Sequence, residues 1–258
     1  MQFSVLASSS DGNCLLVTDG DTRVLIDVGI TCIRIKRGLA DLGITLESLT
    51  GICITHEHSD HIKALPVISR KASIPFYATQ ITSSVADDKL KLTNPQWNIF
   101  EPGNSFQIGS LTFEAFAVPH DAADPVGFVV SNGRRRLGVA TDLGFVPTMV
   151  EHHLKSCHTV VLESNHDLEM LRNSNRPWSL KDRIMNRHGH LSNAQCSELV
   201  EALIGGNLDT LVLAHISTEC NTPALARNTI LDLLDRHGKR EQVALHLASP
   251  EPMQLMKV

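Results

Sequence analysis

The amino-acid sequence predicts an α/β fold in which two β-sheets pack face to face and helices cover both outer faces. Each half of the chain begins with short apolar or alternating segments typical of strands and continues with helices that alternate with strands. No linker rich in Pro, Gly or Ser separates the halves. The chain has 258 residues, of which 42% are hydrophobic, enough to bury a substantial core. We therefore expect one domain spanning residues 1–258.

Turn residues bound the predicted strands of the first half. Asp11-Gly12-Asn13 and Asp19-Gly20-Asp21 separate the first three strands, and Gly43 ends the first helix. The predicted strands are residues 2–7, 14–18, 23–27, 51–55, 75–78 and 97–100, and the predicted helices are residues 30–42, 62–71 and 81–88.

The second half repeats this order of elements. Asn132-Gly133, between two alternating segments, predicts a hairpin with a type I′ turn. Pro223 suits the first turn of the last helix. The predicted strands are residues 105–108, 111–118, 126–131, 135–141, 159–163, 211–214 and 243–247, and the predicted helices are residues 148–155, 179–186, 193–203 and 223–236.

Composition argues against several classes of protein. The net charge of −5 gives no broad basic surface of the kind that nucleic-acid-binding proteins usually carry, although it permits local basic patches. None of the six cysteines forms a Cys-x-x-Cys pair, which indicates reduced thiols. No basic region followed by a long apolar run opens the sequence, and no segment approaches the roughly 18 apolar residues of a membrane span. We expect a cytoplasmic protein without a membrane partner; its oligomeric state stays open.

The densest chemical signal is His56-Glu57-His58-Ser59-Asp60-His61, which follows a predicted strand. Alternate side chains of an extended segment share a face, so His56 and His58 can bind one ion. Asp60 and His61, in the first turn of the next helix, would point toward a second ion. Imidazole and carboxylate ligands suit Zn²⁺, Mn²⁺ or Fe²⁺. The alternative is a polar loop that happens to contain histidines, and four potential ligands within six residues disfavour it.

This His-x-His-x-Asp-His block after a buried strand resembles the signature of the metallo-β-lactamase superfamily, and the resemblance covers nearly the whole chain. It implies a four-layer αββα sandwich and two divalent metal ions, Zn or Mn with Fe possible. Each further ligand is expected after a strand. The implied ligands are His56, His58 and His120 on one ion, Asp60, His61 and His215 on the other, and Asp142 between them. The implied supporting side chains are Asp27, Ser217 and Thr141.

A single Asp or His after a strand is more often a turn, cap or structural residue. The order of these residues behind the histidine block favours the ligand interpretation. Two ions about 3.5–4 Å apart can lower the pKa of a water toward neutrality, and the hydroxide can then attack an ester or phosphoryl group that the ions polarise. The protein must still provide a proton for the leaving group.

In tRNA-processing RNase Z enzymes of this superfamily, a glutamate orients a histidine that protonates the leaving oxygen. Glu163 and His190 resemble that pair, and with Asp60 they are the catalytic candidates. The alternative for His190 is a helix-entry histidine beside the N-cap of the next helix. Free amides at that helix start can also bind phosphate. The substrate-binding candidates are Ser192, Asn193, Asn165 and His188, and His166 is a second candidate acid.

Four motifs together resemble the bacterial YycJ/WalJ group of this superfamily, whose members are regarded as 5′→3′ DNA exonucleases or phosphodiesterases. The resemblance implies a nucleic-acid partner, DNA more than RNA. The segment between Asp142 and His215 has no room for the large extra domain of RNase J-type nucleases. The motifs are residues 8–13, 162–167, 189–193 and 214–217.

Local basic clusters agree with a polyanionic substrate, since phosphate contacts need only patches of charge. Solvated surface charge is the alternative interpretation of each cluster. Trp178 could stack on a base or belong to the core or an interface. The clusters are Arg134-Arg135-Arg136 and the group Arg172, Arg176, Lys181, Arg183 and Arg187.

A hydrolase of small molecules, such as a thioesterase, lactonase or cyclic phosphodiesterase, is the main alternative function, because the same metal site serves those reactions. The pair Glu163 and His190 favours an alkoxide leaving group, which needs a proton more than a thiolate does. A non-catalytic binding module on this fold is a third hypothesis. It would be recognised by a missing metal ligand, and none is missing.

Overall fold

The structure is a computed structural model that describes residues 1–258. Its strands form two sheets of seven. The first sheet contains β1 (Gln2–Ala7), β2 (Cys14–Asp19), β3 (Thr22–Ile26), β4 (Gly51–Cys53), β5 (Phe76–Ala78), β6 (Trp97–Ile99) and β14 (Met256–Lys257). The second contains β7 (Ser105–Ile108), β8 (Leu111–Ala117), β9 (Val126–Ser131), β10 (Arg136–Ala140), β11 (Thr159–Glu163), β12 (Thr210–Ala214) and β13 (Ala244–Leu247).

Nine α-helices accompany the sheets, and side-chain caps set where five of them begin. The capping residues are Thr31, Thr79, Asp167, Ser192 and Thr222. No helix combines the length and the apolar character needed to cross a bilayer. The helices are α1 (Cys32–Asp41), α2 (Ser59–Ile62), α3 (Leu65–Lys71), α4 (Gln80–Leu90), α5 (Thr148–Lys155), α6 (Leu168–Asn173), α7 (Trp178–Met185), α8 (Asn193–Leu203) and α9 (Pro223–Arg236).

Three apolar clusters separate the layers. The first lies between the two sheets and includes Phe113 and Phe128. The second joins α1 and α3 to the outer face of the first sheet and includes the fully buried Ile35. The third joins α5, α8 and α9 to the outer face of the second sheet, where Leu154 and Ile230 are fully buried or nearly so. The predicted four-layer αββα sandwich is confirmed.

The two sheets share one connection pattern. In the first, β1, β2 and β3 pair antiparallel, and β3, β4, β5 and β6 pair parallel. In the second, β8, β9 and β10 pair antiparallel, and β10, β11, β12 and β13 pair parallel. Helices bridge the parallel strands, as such crossovers require. The carboxyl ends of the parallel strands therefore meet at one edge of each sheet.

Several predicted elements differ from the structure. The helix predicted over 62–71 is two helices, α2 and α3, because Pro66 has no N–H to donate to the carbonyl of Ile62. The first of these already begins at Ser59. The sequence did not predict α6 or β14.

The predicted type I′ turn is wrong. That turn needs positive φ at both central residues, and within this loop only Gly133 has one, at 80°. Ser131 pairs with Arg136, which leaves four residues in the loop. The Asn132 side chain accepts the amides of Arg134 and Arg135. These side-chain bonds replace the expected two-residue connection.

Candidate metal centre

The predicted ligands come together where the strands end. His56 follows β4, His120 follows β8, Asp142 follows β10 and His215 follows β12. Three residues at strand ends have left-handed backbone conformations, with φ of 61° at Asp27, 60° at Asp142 and 52° at His215. Non-glycine residues rarely adopt such angles, and they occur often at functional sites.

Three imidazoles form one group. The ring centroids of His56 and His58 lie 4.7 Å apart, and each of these rings lies 5.0 Å from the ring of His120. Nδ1 of His58 lies 3.3 Å from Nε2 of His120. One nitrogen from each ring lies within 4.8 Å of the other two. The structure thus places the three predicted ligands of the first ion around one point.

The ligands predicted for the second ion lie beside this group. Nε2 of His61 is 3.4 Å from Asp60 Oδ2 and 3.2 Å from Asp142 Oδ2. Nε2 of His215 is 3.7 Å from the same Asp60 oxygen. Asp142 also faces the first group, with Oδ1 3.7 Å from His120 Nε2. Asp142 therefore lies between the two groups of ligands.

Hydrogen bonds at Nδ1 orient most of the rings. Nδ1 of His61 contacts Asp27 Oδ2 at 2.8 Å, and Nδ1 of His120 donates to the carbonyl of Gly189 at 3.1 Å. Nδ1 of His56 contacts the Thr55 hydroxyl at 3.0 Å. An imidazole held at one nitrogen presents the other in a fixed direction, as ligands of protein metal sites do.

Buried atoms without partners test whether a cation fits. Nε2 of His56, Nε2 of His215 and Oδ2 of Asp142 are buried and make no hydrogen bond. Such atoms are costly unless something binds them. Burial lowers the pKa of His56, which keeps this imidazole neutral and able to ligate. The orphaned atoms and the donor types fit a divalent cation.

Glu163 is the hub of a separate hydrogen-bond network. Its Oε1 accepts Nδ1 of His190 at 2.8 Å and Nδ1 of His215 at 2.7 Å. Its Oε2 accepts the amides of Leu143 and Leu191, each at 3.0 Å. One carboxylate oxygen of Glu163 lies within 4.8 Å of a potential ligand atom of each of Asp142, His190 and His215, but four donors already occupy the two oxygens. Glu163 therefore orients the imidazoles of His190 and His215 by hydrogen bonds and does not serve as a metal ligand.

The negative charge of Glu163 and the positive charge of its histidine partners stabilise each other. Burial alone would raise the pKa of Glu163, but the facing His190 and His215 outweigh it and lower that pKa to about 2. Burial alone would lower the pKa of His190, but Glu163 outweighs it and raises that pKa above its usual value. The sequence pairs Glu163 with His190 only, so its contact with His215 is a further finding.

The predicted substrate-binding residues divide into two groups. Ser192 caps α8 with Gln195, and Asn193 is buried against Ser164 and Asn221, so neither reaches the cleft. His188 is exposed outside it. The geometry therefore does not support these three as substrate contacts. Asn165 and Ser217 line the cleft, and Asn165 also donates to the carbonyl of His215.

The cleft over the ligands has a volume of about 320 Å³. Its walls come from both halves of the chain, and the sequence did not predict five of the lining residues as parts of the site: Ser10, Ser59, Lys89, Leu180 and Ile184. Ser10 and Ser59 lie inside motifs that the sequence singled out for other residues. No motif marks Lys89, because only the fold brings α4 beside the histidine loop, residues 56–61. The lining residues are Ser10, His58, Ser59, Asp60, Lys89, Asp142, Asn165, Arg176, Leu180, Arg183, Ile184, His190, His215 and Ser217.

Comparison with known proteins agrees with this geometry. Residues 22–216 match the Beta-lactamase superfamily domain. The chain belongs to the metallo-β-lactamase superfamily. Over 259 aligned residues it is 34% identical to the exodeoxyribonuclease YycJ of Bacillus anthracis, covering 100% of this chain and 98% of that protein. It is 33% identical to the exodeoxyribonuclease WalJ of Streptococcus pneumoniae, over 90% and 88% of the two chains. The predicted resemblance to the YycJ/WalJ group is confirmed.

Solved structures share this fold. YhfI of Bacillus subtilis matches with a TM-score of 0.74 at 13% identity, over 99% of each chain. Zn²⁺-bound PqqB of Methylobacterium extorquens matches with a TM-score of 0.70 at 16% identity, over 100% of each chain. This superfamily member is a metal-dependent hydrolase of ester bonds, as the sequence predicts, and its His and Asp cluster is suited to divalent metal.

Proposed function

We propose that this superfamily member is a phosphodiesterase that degrades DNA in the 5′→3′ direction with two divalent ions, Zn²⁺ or Mn²⁺. The relatives YycJ and WalJ support the substrate class, since both are named exodeoxyribonucleases. One observation carries the proposal: the His190 imidazole, held by Glu163, lines the same cleft as the metal ligands. Its ring centroid lies 5.1 Å from those of His120 and His215.

The predicted ligands form two groups, one for each cation. His56, His58 and His120 would hold one ion, Asp60, His61 and His215 would hold the other, and Asp142 would contact both. Bound there, divalent ions supply Lewis acidity that lowers the pKa of water toward neutrality and polarises a phosphoryl oxygen. Asp27 and Glu163 keep the ligating nitrogens of His61 and His215 aimed at the centre.

His190 supplies the proton that the leaving oxygen needs. Because Nδ1 is bound to Glu163, the second ring nitrogen is the one available to substrate. Glu163 raises the pKa of His190 against the opposing effect of burial, so the protonated form persists nearer neutral pH. An alkoxide leaving group of a phosphodiester needs this donor, whereas a thiolate needs it less. This favours a phosphodiester over a thioester.

The test compares substrates and variants with Mn²⁺ or Zn²⁺ present. Labelled single-stranded DNA with and without a 5′ phosphate, RNA, a thioester and a lactone are offered to the wild type. We expect DNA cleavage from the 5′ end. His190→Ala should keep its metal, measured by elemental analysis, and lose about 10²- to 10⁴-fold in turnover, the usual contribution of general acid catalysis.

The matched control is His152→Ala, an exposed histidine on α5 away from the cleft, and we expect wild-type turnover from it. Cleavage of DNA by His190→Ala at the wild-type rate would overturn the acid assignment. Hydrolysis of the thioester or lactone without cleavage of DNA would instead identify a small-molecule hydrolase.

A further inference from the structure

The basic clusters found in the sequence are largely neutralised in the fold. Arg136 contacts Glu114 at 3.0 Å, and Arg135 contacts Asp209. At the cleft, Arg176 contacts Glu219 at 2.8 Å and Arg183 contacts Asp121 at 2.5 Å. Each of these guanidinium groups already has a carboxylate, so a phosphate would have to displace it. Carboxylates that are distant in the sequence thus occupy the arginines that the sequence offered as phosphate contacts.

Other members of the second cluster are also engaged. Lys181 is buried and donates to the carbonyls of Arg172 and Ser174, which closes the end of α6. Arg187 lies 4.1 Å from the ring of Phe145. Trp178 is 67% exposed but does not line the cleft. The second cluster therefore does more to hold α6 and α7 in place than to attract anions.

Lys89 differs from these residues. It is exposed near the end of α4. It lines the cleft from the first half of the chain, whereas α7 lines it from the second half. Its ammonium donates to the backbone carbonyl of Glu57 at 3.1 Å, and no carboxylate pairs with it. Glu57 lies between the ligands His56 and His58 in the sequence. Lys89 thus holds an unpaired positive charge directly beside the metal-binding loop.

Two exposed hydroxyls line the same cleft, those of Ser10 and Ser59. Ser59 belongs to the histidine loop, and Ser10 comes from the loop after β1. An ammonium with two hydroxyl donors is a donor set that suits a phosphate oxygen. We infer that Lys89, with Ser10 and Ser59, forms a phosphate-binding subsite that holds a nucleic-acid phosphate next to the hydrolytic centre. This inference rests on the proposed function.

The salt dependence of substrate affinity tests this subsite. Each phosphate contact on a single strand contributes a slope of about −0.7 to the dependence of log affinity on log salt. Lys89→Met should therefore reduce that slope by roughly one contact and raise KM for single-stranded DNA roughly tenfold at low salt. The metal content should stay at the wild-type value. The change in KM should exceed the changes in kcat at saturating DNA and in turnover of bis-p-nitrophenyl phosphate, which has no second phosphate. Lys89→Arg should restore the slope.

Lys71→Met is the matched control, since Lys71 is an exposed lysine of α3 that does not line the cleft. It removes the same charge and should leave the slope and KM unchanged. A wild-type slope and KM in Lys89→Met, with the wild type cleaving DNA, would overturn the subsite and leave the proposed function standing. A wild type that cleaves no nucleic acid would overturn the proposed function itself.

The same variant distinguishes two sources of the phosphate. If Lys89 holds a 5′-terminal phosphate, Lys89→Met should lose affinity for 5′-phosphorylated DNA and keep it for 5′-hydroxyl DNA. If Lys89 holds a phosphate of the backbone, both substrates should lose affinity equally. Either result supports a phosphate subsite, and a loss seen only together with lost metal would contradict it.

Discussion

The ends of β3 and β10 have the same local structure and different tasks. Asp27-Val28-Gly29 follows β3, and Asp142-Leu143-Gly144 follows β10. Both aspartates have left-handed φ, 61° and 60°. At Gly29 a Cβ atom would lie 1.5 Å from the Asp60 carbonyl oxygen, and at Gly144 one would lie 2.3 Å from the backbone of Arg187. β3 and β10 each pair antiparallel with one neighbour and parallel with the other. The turn after each of these strands packs tightly against a segment that carries functional side chains.

The difference lies in what each aspartate contacts. Asp27 Oδ1 accepts the amide of Thr55 at 2.9 Å, and Oδ2 contacts the Thr55 hydroxyl and His61 Nδ1, each at 2.8 Å. Asp142 Oδ2 is equally buried and makes no hydrogen bond. One turn thus supplies a carboxylate that is fully occupied in holding a ligand, and its counterpart supplies a carboxylate left free to be one. Substitutions in and around the two turns should therefore have three graded effects on metal binding.

Asp142→Ala should have the largest effect. It removes the carboxylate that faces both groups of ligands and leaves Asp60 as the carboxylate that both His61 and His215 still face. We expect metal and activity to be lost together, with metal measured by elemental analysis and activity on labelled DNA. Asp232→Ala, an exposed aspartate of α9, is the control. An unchanged metal content in Asp142→Ala would contradict a position between two ions.

Alanine at the two turn glycines, Gly29 and Gly144, should distinguish the roles of the two turns. Gly29→Ala forces the backbone at Asp60 to move, so we expect a loss of about 3 kcal/mol or more in the free energy of unfolding, together with weaker metal binding. Gly144→Ala presses on Arg187, three residues before His190, so we expect about 1–3 kcal/mol and reduced turnover with metal retained. Urea unfolding and metal analysis measure both effects.

Gly205→Ala is the control for these two variants. No atom lies within 4 Å of the added Cβ, and its φ is not positive. Its stability should match or slightly exceed that of the wild type, because alanine restricts the unfolded chain. Equal losses of metal in Gly29→Ala and Gly144→Ala would show that the two turns do not support different functions.

The layers of the fold could be predicted because strand and helix patterns are local and repeat in both halves. The ligands could be located because each follows a strand in a recognisable order. The second contact of Glu163 required the register between strands: Glu163 pairs with Ala214 across β11 and β12, which places His215 beside it. No periodicity of a single segment contains that information.

Ion pairs between residues distant in the sequence could also not be predicted from the sequence. The sequence alone gives Arg176 and Arg183 no visible partner. In the structure, Arg176 pairs with Glu219 and Arg183 pairs with Asp121, both from other loops. Lys89 gave no signal, because its importance comes from the place where α4 ends relative to the histidine loop. Local patterns thus predict which chemistry is present, and tertiary contacts decide which charges remain free to take part in it.

Asp27→Asn should have the smallest of the three graded effects and defines how the first turn acts. The amide keeps the volume of Asp27 but cannot accept from both Thr55 and His61 with the same two oxygens. Because Asp27 touches a ligand and not the centre itself, we expect metal affinity to fall about 10- to 100-fold, as for other partners of metal ligands. Titration with Zn²⁺ or Mn²⁺ measures this, and turnover should recover at saturating metal. If turnover stays low with the metal fully bound, Asp27 acts on the reaction by more than orienting His61, and the division of tasks between the two turns fails.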